Sequence, residues 1–215
     1  MMKKPIALVL AAVLVLCLCL TACSNSSKEK MDALAGTYTM TYTESEEWFD
    51  ELMDSIDAYD EEIALVDKST LKAVQTVTFD AQGNYSFSDD AEGTRACVRS
   101  FYEGYFDALY AGRTTLNAKY EKTFDNMTLA EFRQFFAETY NCENYEALLT
   151  TITNNAHQYD NMADPWETGT YTIRANRIYF TISGEKEAEF ITYTLTGDTL
   201  TLTYSDGEQV YQKVK

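Results

Sequence analysis

Residues 190–204 read FITYTLTGDTLTLTY. Apolar and polar side chains alternate on both sides of Gly197-Asp198. Ile191, Tyr193 and Leu195 share one face of the first arm, Leu200 and Leu202 one face of the second, and threonines fill the positions between. A period of two is the mark of a half-buried antiparallel strand, and a two-residue Gly-Asp step between two such runs marks a tight hairpin. Working outward, Gln209–Val214 follows a turn at Ser205-Asp206-Gly207. Gly169–Ile173 and Arg177–Ile182 flank a turn at Ala175-Asn176. Ala73–Phe79 and Tyr85–Ser88 flank Asp80–Asn84, and Gly36–Thr43 alternates Tyr38, Met40 and Tyr42 with threonines. About eight short strands, mostly hairpin-linked, predict an antiparallel up-and-down β-barrel, because twist and exposed edges favour closure of so many sequential strands. The expected inward set is Tyr38, Met40, Tyr42, Val77, Phe79, Tyr85, Phe87, Tyr171, Ile173, Ile178, Phe180, Ile191, Tyr193, Leu195, Leu200 and Leu202, with threonines outside.

Two stretches break the period of two. Glu44–Val66 places Trp48, Leu52, Ile56, Tyr59 and Ile63 at spacings of four and three, opposite an acidic face of Glu46, Glu47, Asp50, Glu51, Asp54, Asp57 and Glu61. This predicts an amphipathic helix with a break near Asp60, placed to cap a barrel mouth. Residues 90–167 read as a helical insertion. Val98 to Leu109 carries a helical stripe ending at Gly112. Thr128-Leu-Ala-Glu131 is a capping box before Phe132, Phe135, Phe136 and Tyr140, and Tyr145 to Tyr159 supplies a third helix before Pro165. The expected fold class is therefore mainly β with α insertions (α+β). The barrel spans 35–89 and 168–215, carries a helix at about 44–66, and is interrupted by the helical unit at 90–167.

The amino terminus carries an address. Lys3 and Lys4 precede an uncharged apolar run from Ile6 to Leu20, the layout of a secretory signal peptide. Leu20-Thr21-Ala22-Cys23 resembles the bacterial lipobox. That resemblance implies cleavage after residue 22, a diacylglycerol thioether on Cys23, and a cell-membrane location on the extracytoplasmic face, with the acyl chains as the contact to lipid. Removing residues 1–22 takes Cys17 and Cys19 with it. Cys97 and Cys142 remain, and in an exported chain an even pair permits a disulfide; two buried free thiols are the other reading. The stretch 23–34 reads as a lipidated tether, whose polar residues 24–34 would reach about 35 Å at roughly 3.3 Å per residue.

Charge closes other routes. The chain of 215 residues has 17 Lys and Arg against 34 Asp and Glu, a net charge of −17, and one His. Loss of Lys3 and Lys4 leaves 15 against 34, or −19. A nucleic-acid partner is excluded as an expectation, since phosphate binding rests on clustered cations. His157 is the single imidazole and reads as a surface or capping residue, not a catalytic base. There is no Gly-rich phosphate loop, CxxC or HExxH, so neither a cofactor nor a metal site is expected. The acidic loop Asp89-Asp90-Ala-Glu92-Gly93 lacks the ordered ligand run of a Ca²⁺ loop. Carboxylate pairs are so abundant that none singles out a hydrolase.

The Gly-Thr-Tyr openings, the Gly83-Asn-Tyr-Ser-Phe87 hairpin and the terminal YTLTGDTLTLTYSDG (193–207) resemble lipocalin-like domains of small bacterial lipoproteins. The match covers about 36–43, 73–88 and 168–215. It implies a fold and a ligand cavity, and brings no site residue with it; the insertion at 90–167 departs from the simplest form of that pattern. The aromatic richness of the strands marks Tyr38, Tyr42, Tyr85, Tyr171 and Tyr193 as candidate cavity residues, each offering a ring face and a hydroxyl. Packing is the competing role for each, because an eight-stranded barrel has room for little beyond its own side chains. Trp166, in Asp164-Pro-Trp-Glu167, is expected either to plug the mouth or to present an aromatic surface. The expected function is a non-enzymatic, envelope-anchored binding module for a small apolar or glycan ligand. The alternative is an accessory lipoprotein with a filled barrel, meeting an envelope protein through exposed rings of the insertion such as Tyr102, Phe106 and Tyr110.

Overall fold

The computed structural model describes residues 27–155, 164–186 and 188–215. The expected signal segment, Cys23 and His157 lie outside these. Eight antiparallel strands close into a barrel in chain order: β1 (Gly36–Thr43), β2 (Lys72–Phe79), β3 (Asn84–Asp89), β4 (Glu167–Arg174), β5 (Arg177–Ile182), β6 (Glu189–Thr196), β7 (Thr199–Thr203) and β8 (Glu208–Lys213). The register confirms the central hairpin, with Tyr193 opposite Leu202 and Leu195 opposite Leu200. Closure rests on a short seam between the first strand and the last, Tyr38 opposite Lys213 and Thr39 opposite Gln212.

Six α-helices accompany the strands among the described residues. They are α1 (27–34), α2 (Glu46–Asp54), α3 (Asp60–Ile63), α4 (Ala91–Ala111), α5 (Leu129–Thr139) and α6 (Tyr145–Asn155). Local chemistry sets their starts. The Ser45 side chain accepts from the Trp48 amide, Asp90 accepts from the Gly93 amide at 2.9 Å, and Thr128 and Glu131 form a reciprocal capping box. The helix expected over 44–66 is two helices. The break comes at Ser55–Tyr59, earlier than Asp60, where Asp57 adopts a left-handed φ of 51° that no α-helix accommodates.

The chain divides into two compact units, and each has its own core. Among the described residues, those up to 40, 76–87 and those from 165 onward form the barrel unit, and 41–75 with 88–155 form the helical unit. The barrel core contains Leu34, Tyr38, Val77, Phe79, Tyr85, Phe87, Tyr171, Ile173, Ile178, Phe180, Leu200, Leu202 and Tyr211. Met40, Ile191, Tyr193 and Leu195 pack against it half-buried, so all but one of the expected inward residues are found here. Tyr42 is the exception and packs on the helical core. The helix expected to cap a barrel mouth also belongs to that second core, where Trp48, Phe49, Leu52, Met53 and Ile56 join the stripes of α4, α5 and α6.

The stretch expected as an extended tether is helical over residues 27–34. Leu34 is sealed in the barrel core, Met31 packs against it, and Ser27 Oγ donates to the Ile173 carbonyl at 2.8 Å. Those apolar contacts outweigh the solubility of a polar segment, and docking satisfies backbone groups that an extended chain would leave to water.

Candidate functional site

Three of the five candidate cavity tyrosines are core residues with committed hydroxyls. Tyr38, Tyr85 and Tyr171 are buried. Their hydroxyls donate to Leu34 O at 2.8 Å, Glu167 Oε1 at 2.8 Å and Asp80 O at 2.7 Å. A fourth interior phenol, Tyr211, donates to Gln209 Oε1 at 2.9 Å. Burial pushes all three candidate phenols above their ordinary value; the Glu167 carboxylate adds to the effect at Tyr85, and Asp198 and Asp80 add to it at Tyr38 and Tyr171. Around them the rings interlock. Phe79 stands edge-on to Tyr171 at 5.0 Å between ring centres, and Tyr85 edge-on to Phe180 at 4.7 Å. These side chains occupy the barrel interior as packing. Tyr193 is half-buried on β6 beside the equally half-buried Ile191 and Leu195, so the inward face is least covered along that strand. Tyr42 packs on the helical core, and burial first, then the Glu44 carboxylate, push its phenol above the ordinary value.

Trp166 both covers and presents. It stacks on buried Phe87 at 5.3 Å, with ring planes 26° apart, and keeps 54% of its surface exposed.

In the helical unit the rings expected to be exposed are mostly inside. Tyr102 and Phe106 are buried. Tyr110 is half-buried, with its hydroxyl on Met127 O at 3.1 Å and the Arg113 guanidinium over its face. Helix α4 turns these rings toward α5 and α6, where Phe106 meets Phe136 and Tyr145. The aromatic contact surface anticipated there is a core.

A buried carboxylate lies within this core. Glu62, on α3, is 1% exposed. It accepts from the Tyr120 hydroxyl and from the Tyr59 backbone N–H at 2.9 Å. Tyr105 and Tyr140 feel its charge; burial first, and the carboxylate second, hold both phenols well above their ordinary value. The Tyr140 hydroxyl itself donates to Ile56 O at 2.6 Å. Such an acceptor among phenols joins α3 to the segments that carry Tyr120 and Tyr59, and no cationic side chain shares it among the described ion pairs. The composition of the 44–66 segment hides Glu62, because its other acids face water. The available signal is its position, three residues after Tyr59 and beside Ile63 on the apolar stripe.

A second acidic grouping joins the ends of β1 and β3. Asp89 is half-buried, and its carboxyl is raised by burial and then by the charge of Glu44, which also holds Tyr42. This pair stands outside both grooves of the helical unit. Asp90, beside it, is committed to capping α4.

Those grooves are two concave surfaces of the helical unit. The larger, about 370 Å³, runs between the 65–70 segment and α4 and is lined by Leu65, Val66, Phe101 and Ala108 with Asp67, Thr70 and Ser100. Gly104 forms part of its wall, and a Cβ added there meets nothing within 4 Å, so the groove is open at that turn of α4. The smaller, about 310 Å³, lies where Arg95 and Arg99 of α4 face Thr150 and Thr153 of α6; Arg99 is already held by Glu103 and Glu146.

The two cysteines are free thiols. Cys97 is on α4, its thiol raised by burial and by Asp90. Cys142 follows α5, with Sγ 3.8 Å from Thr151 Oγ1. No disulfide joins them in this structure.

Among the described residues no helix is long and apolar enough to cross a membrane, and no group of three or more His, Cys, Asp or Glu is placed to hold a metal. Compared with family models, curated proteins and solved structures, the chain finds no match.

Proposed function

We propose that the chain is an envelope lipoprotein, cleaved before Cys23 and acylated on it, that acts as a non-enzymatic binding module on the extracytoplasmic face of the cell membrane. The barrel is its scaffold, lipocalin-like in kind, and the binding surface is the groove along α4. One observation carries this placement: the interior tyrosines spend their hydroxyls on the protein itself, whereas the α4 groove combines apolar walls, three polar side chains and an open glycine. Its volume of about 370 Å³ suits a small amphipathic ligand. The accessory-protein reading loses its motivation with the burial of Tyr102 and Phe106.

Gly104→Leu tests the site without loosening the fold, since leucine fills open space and is the better helix former. Native mass spectrometry of the mature chain, after exposure to an envelope extract of the source cell, should reveal an added mass that is lost on denaturation and absent from Gly104→Leu. An identical adduct on the variant would move the site elsewhere, and a bare mass on both would return the protein-partner reading. Cys23→Ala tests the anchor: the variant should remain unprocessed and gain no acyl mass.

A further inference from the structure

We infer that the barrel presents one chosen rim, the rim at which α1 docks, to an anionic bilayer. The inference rests on the lipid-anchor reading above and adds an orientation to it. Antiparallel registers place the start of β1, the β4–β5 turn, the β6–β7 turn and the end of β8 at one end of the barrel. Helix α1 is held at that end by Ser27 Oγ on Ile173 O and by Lys30 Nζ on Ala175 O, each at 2.8 Å. Ser27 is four residues beyond Cys23, so the acylated residue lies within about 14 Å of this rim.

Charge is divided between the two ends. The anchor rim carries Lys28, Lys30, Arg174, Arg177, Lys213 and Lys215 against Glu29, Asp32, Asp80 and Asp198. The opposite rim, at 183–189 and 204–208 with the start of β4, has Glu167, Glu185, Glu189, Asp206 and Glu208 against Lys186 alone among the described residues. An anionic lipid surface repels the acidic opposite rim and tolerates this one. Each cation held near such a surface contributes about 1 kcal/mol, and the advantage fades within a Debye length. Beside the rim, Arg177 lies 4.4 Å over the ring of Phe190, which is 53% exposed and opposite Tyr179, and Arg174 lies over Tyr179. Val214 is exposed between Lys213 and Lys215. Aromatic rings under guanidinium groups suit the headgroup layer, where the ring meets apolar chains and the cation meets phosphate.

Amine acylation on the mature lipoprotein reads the orientation directly, because Lys28 and Lys215 at the anchor rim and Lys186 at the opposite one are all exposed. The protein is reconstituted in phosphatidylglycerol vesicles and in phosphatidylcholine vesicles, and each lysine's rate is followed by peptide mass spectrometry. On phosphatidylglycerol, Lys28 and Lys215 should slow roughly threefold or more relative to Lys186. The slowing should vanish on phosphatidylcholine, in about 0.5 M salt, and in Arg174→Glu/Arg177→Glu. The neutral vesicle removes the trivial effect of the nearby anchor. Equal ratios on both lipids would overturn the orientation while leaving the anchor intact. If the purified chain carries no acyl mass, the anchor reading fails by itself; the chain from residue 23 onward, with Cys97→Ser and Cys142→Ser, is then coupled through Cys23 to a maleimide lipid in the same vesicles, and the same three lysines decide.

Discussion

The Tyr38 hydroxyl donates to the carbonyl of Leu34, 2.8 Å away and four residues back, and both residues are sealed from solvent. One bond therefore supplies a partner to a carbonyl at the end of α1 and fixes that helix to the first strand. Tyr38→Phe should cost about 1–2 kcal/mol, because the Leu34 oxygen is left buried without its donor. Leu34→Ala should cost about 2–4 kcal/mol through lost burial and the space left behind. Thermal unfolding measures both; no change in either variant would mean that α1 does not dock.

Gly169 on β4 is required by space. A Cβ there would stand 2.1 Å from the Thr181 carbonyl oxygen and 2.8 Å from the Tyr85 ring. The first obstacle is backbone and cannot swing aside, so Gly169→Ala should destabilise by about 3 kcal/mol. For a chain of this size, that is a fall of about 6–12 °C in Tm. Gly104→Ala, with open space at its Cβ, is the matched control and should hold or gain stability.

Glu62 should tolerate loss of charge better than loss of shape. Glu62→Gln can keep its one oxygen on the Tyr59 amide while its NH2 donates to the Tyr120 hydroxyl oxygen, which accepts as well as donates, and should cost about 1 kcal/mol. Glu62→Ala strands both donors and should cost about 2–4 kcal/mol. Chemical denaturation orders the two. If Gln proves as damaging as Ala, the buried charge itself is needed, and the cluster is more than structural.

Alkaline pH should unfold the protein late and cooperatively. Burial lifts Tyr145 and Tyr204 to about 12 and carries Tyr42, Tyr85, Tyr105, Tyr120, Tyr140 and Tyr171 higher still, from an ordinary value of 10.0. A phenol with a raised folded pKa stabilises the fold while protonated. That contribution is whole below about pH 10 and is lost as pH rises through the folded values. Phenolate absorbance should show these buried tyrosines ionising together with the loss of circular dichroism, at about pH 12 or above. A single broad titration centred on 10, in protein that is still folded, would contradict the burial described.

Strands and hairpins were legible because alternation and turn chemistry act over a few residues, as in 190–204. What alternation cannot report is which core a face meets. Tyr38 and Tyr42 lie on one face of one strand, yet the division between Met40 and Thr41 sends them to different cores. Composition misled at α1, where Met31 and Leu34 are too few to colour a polar segment but sit a helical turn apart. Parity of cysteines holds no distance, so the Cys97–Cys142 pairing was open to either outcome. The rings of α4 were legible as a stripe, and only the packing of α5 and α6 decides that Tyr102 and Phe106 face inward. Among the five candidate tyrosines, ring content was readable and hydroxyl partners were not, since Asp80, Glu167 and Leu34 reach them through the fold.

The seam between Tyr38 and Lys213 makes the barrel a structure that only the last residues complete. During synthesis the chain emerges from its amino terminus. The first strand must wait for the eighth through the whole intervening length, with its edge unpaired and open to other chains. A product ending before Glu208 would keep every hairpin from β4 to β7 and both partners of the Tyr38–Leu34 bond, yet expose two edges. Premature termination near the carboxyl end is thus expected to yield aggregation or proteolysis in place of a slightly weakened protein, and full-length translation becomes a built-in condition for a closed fold.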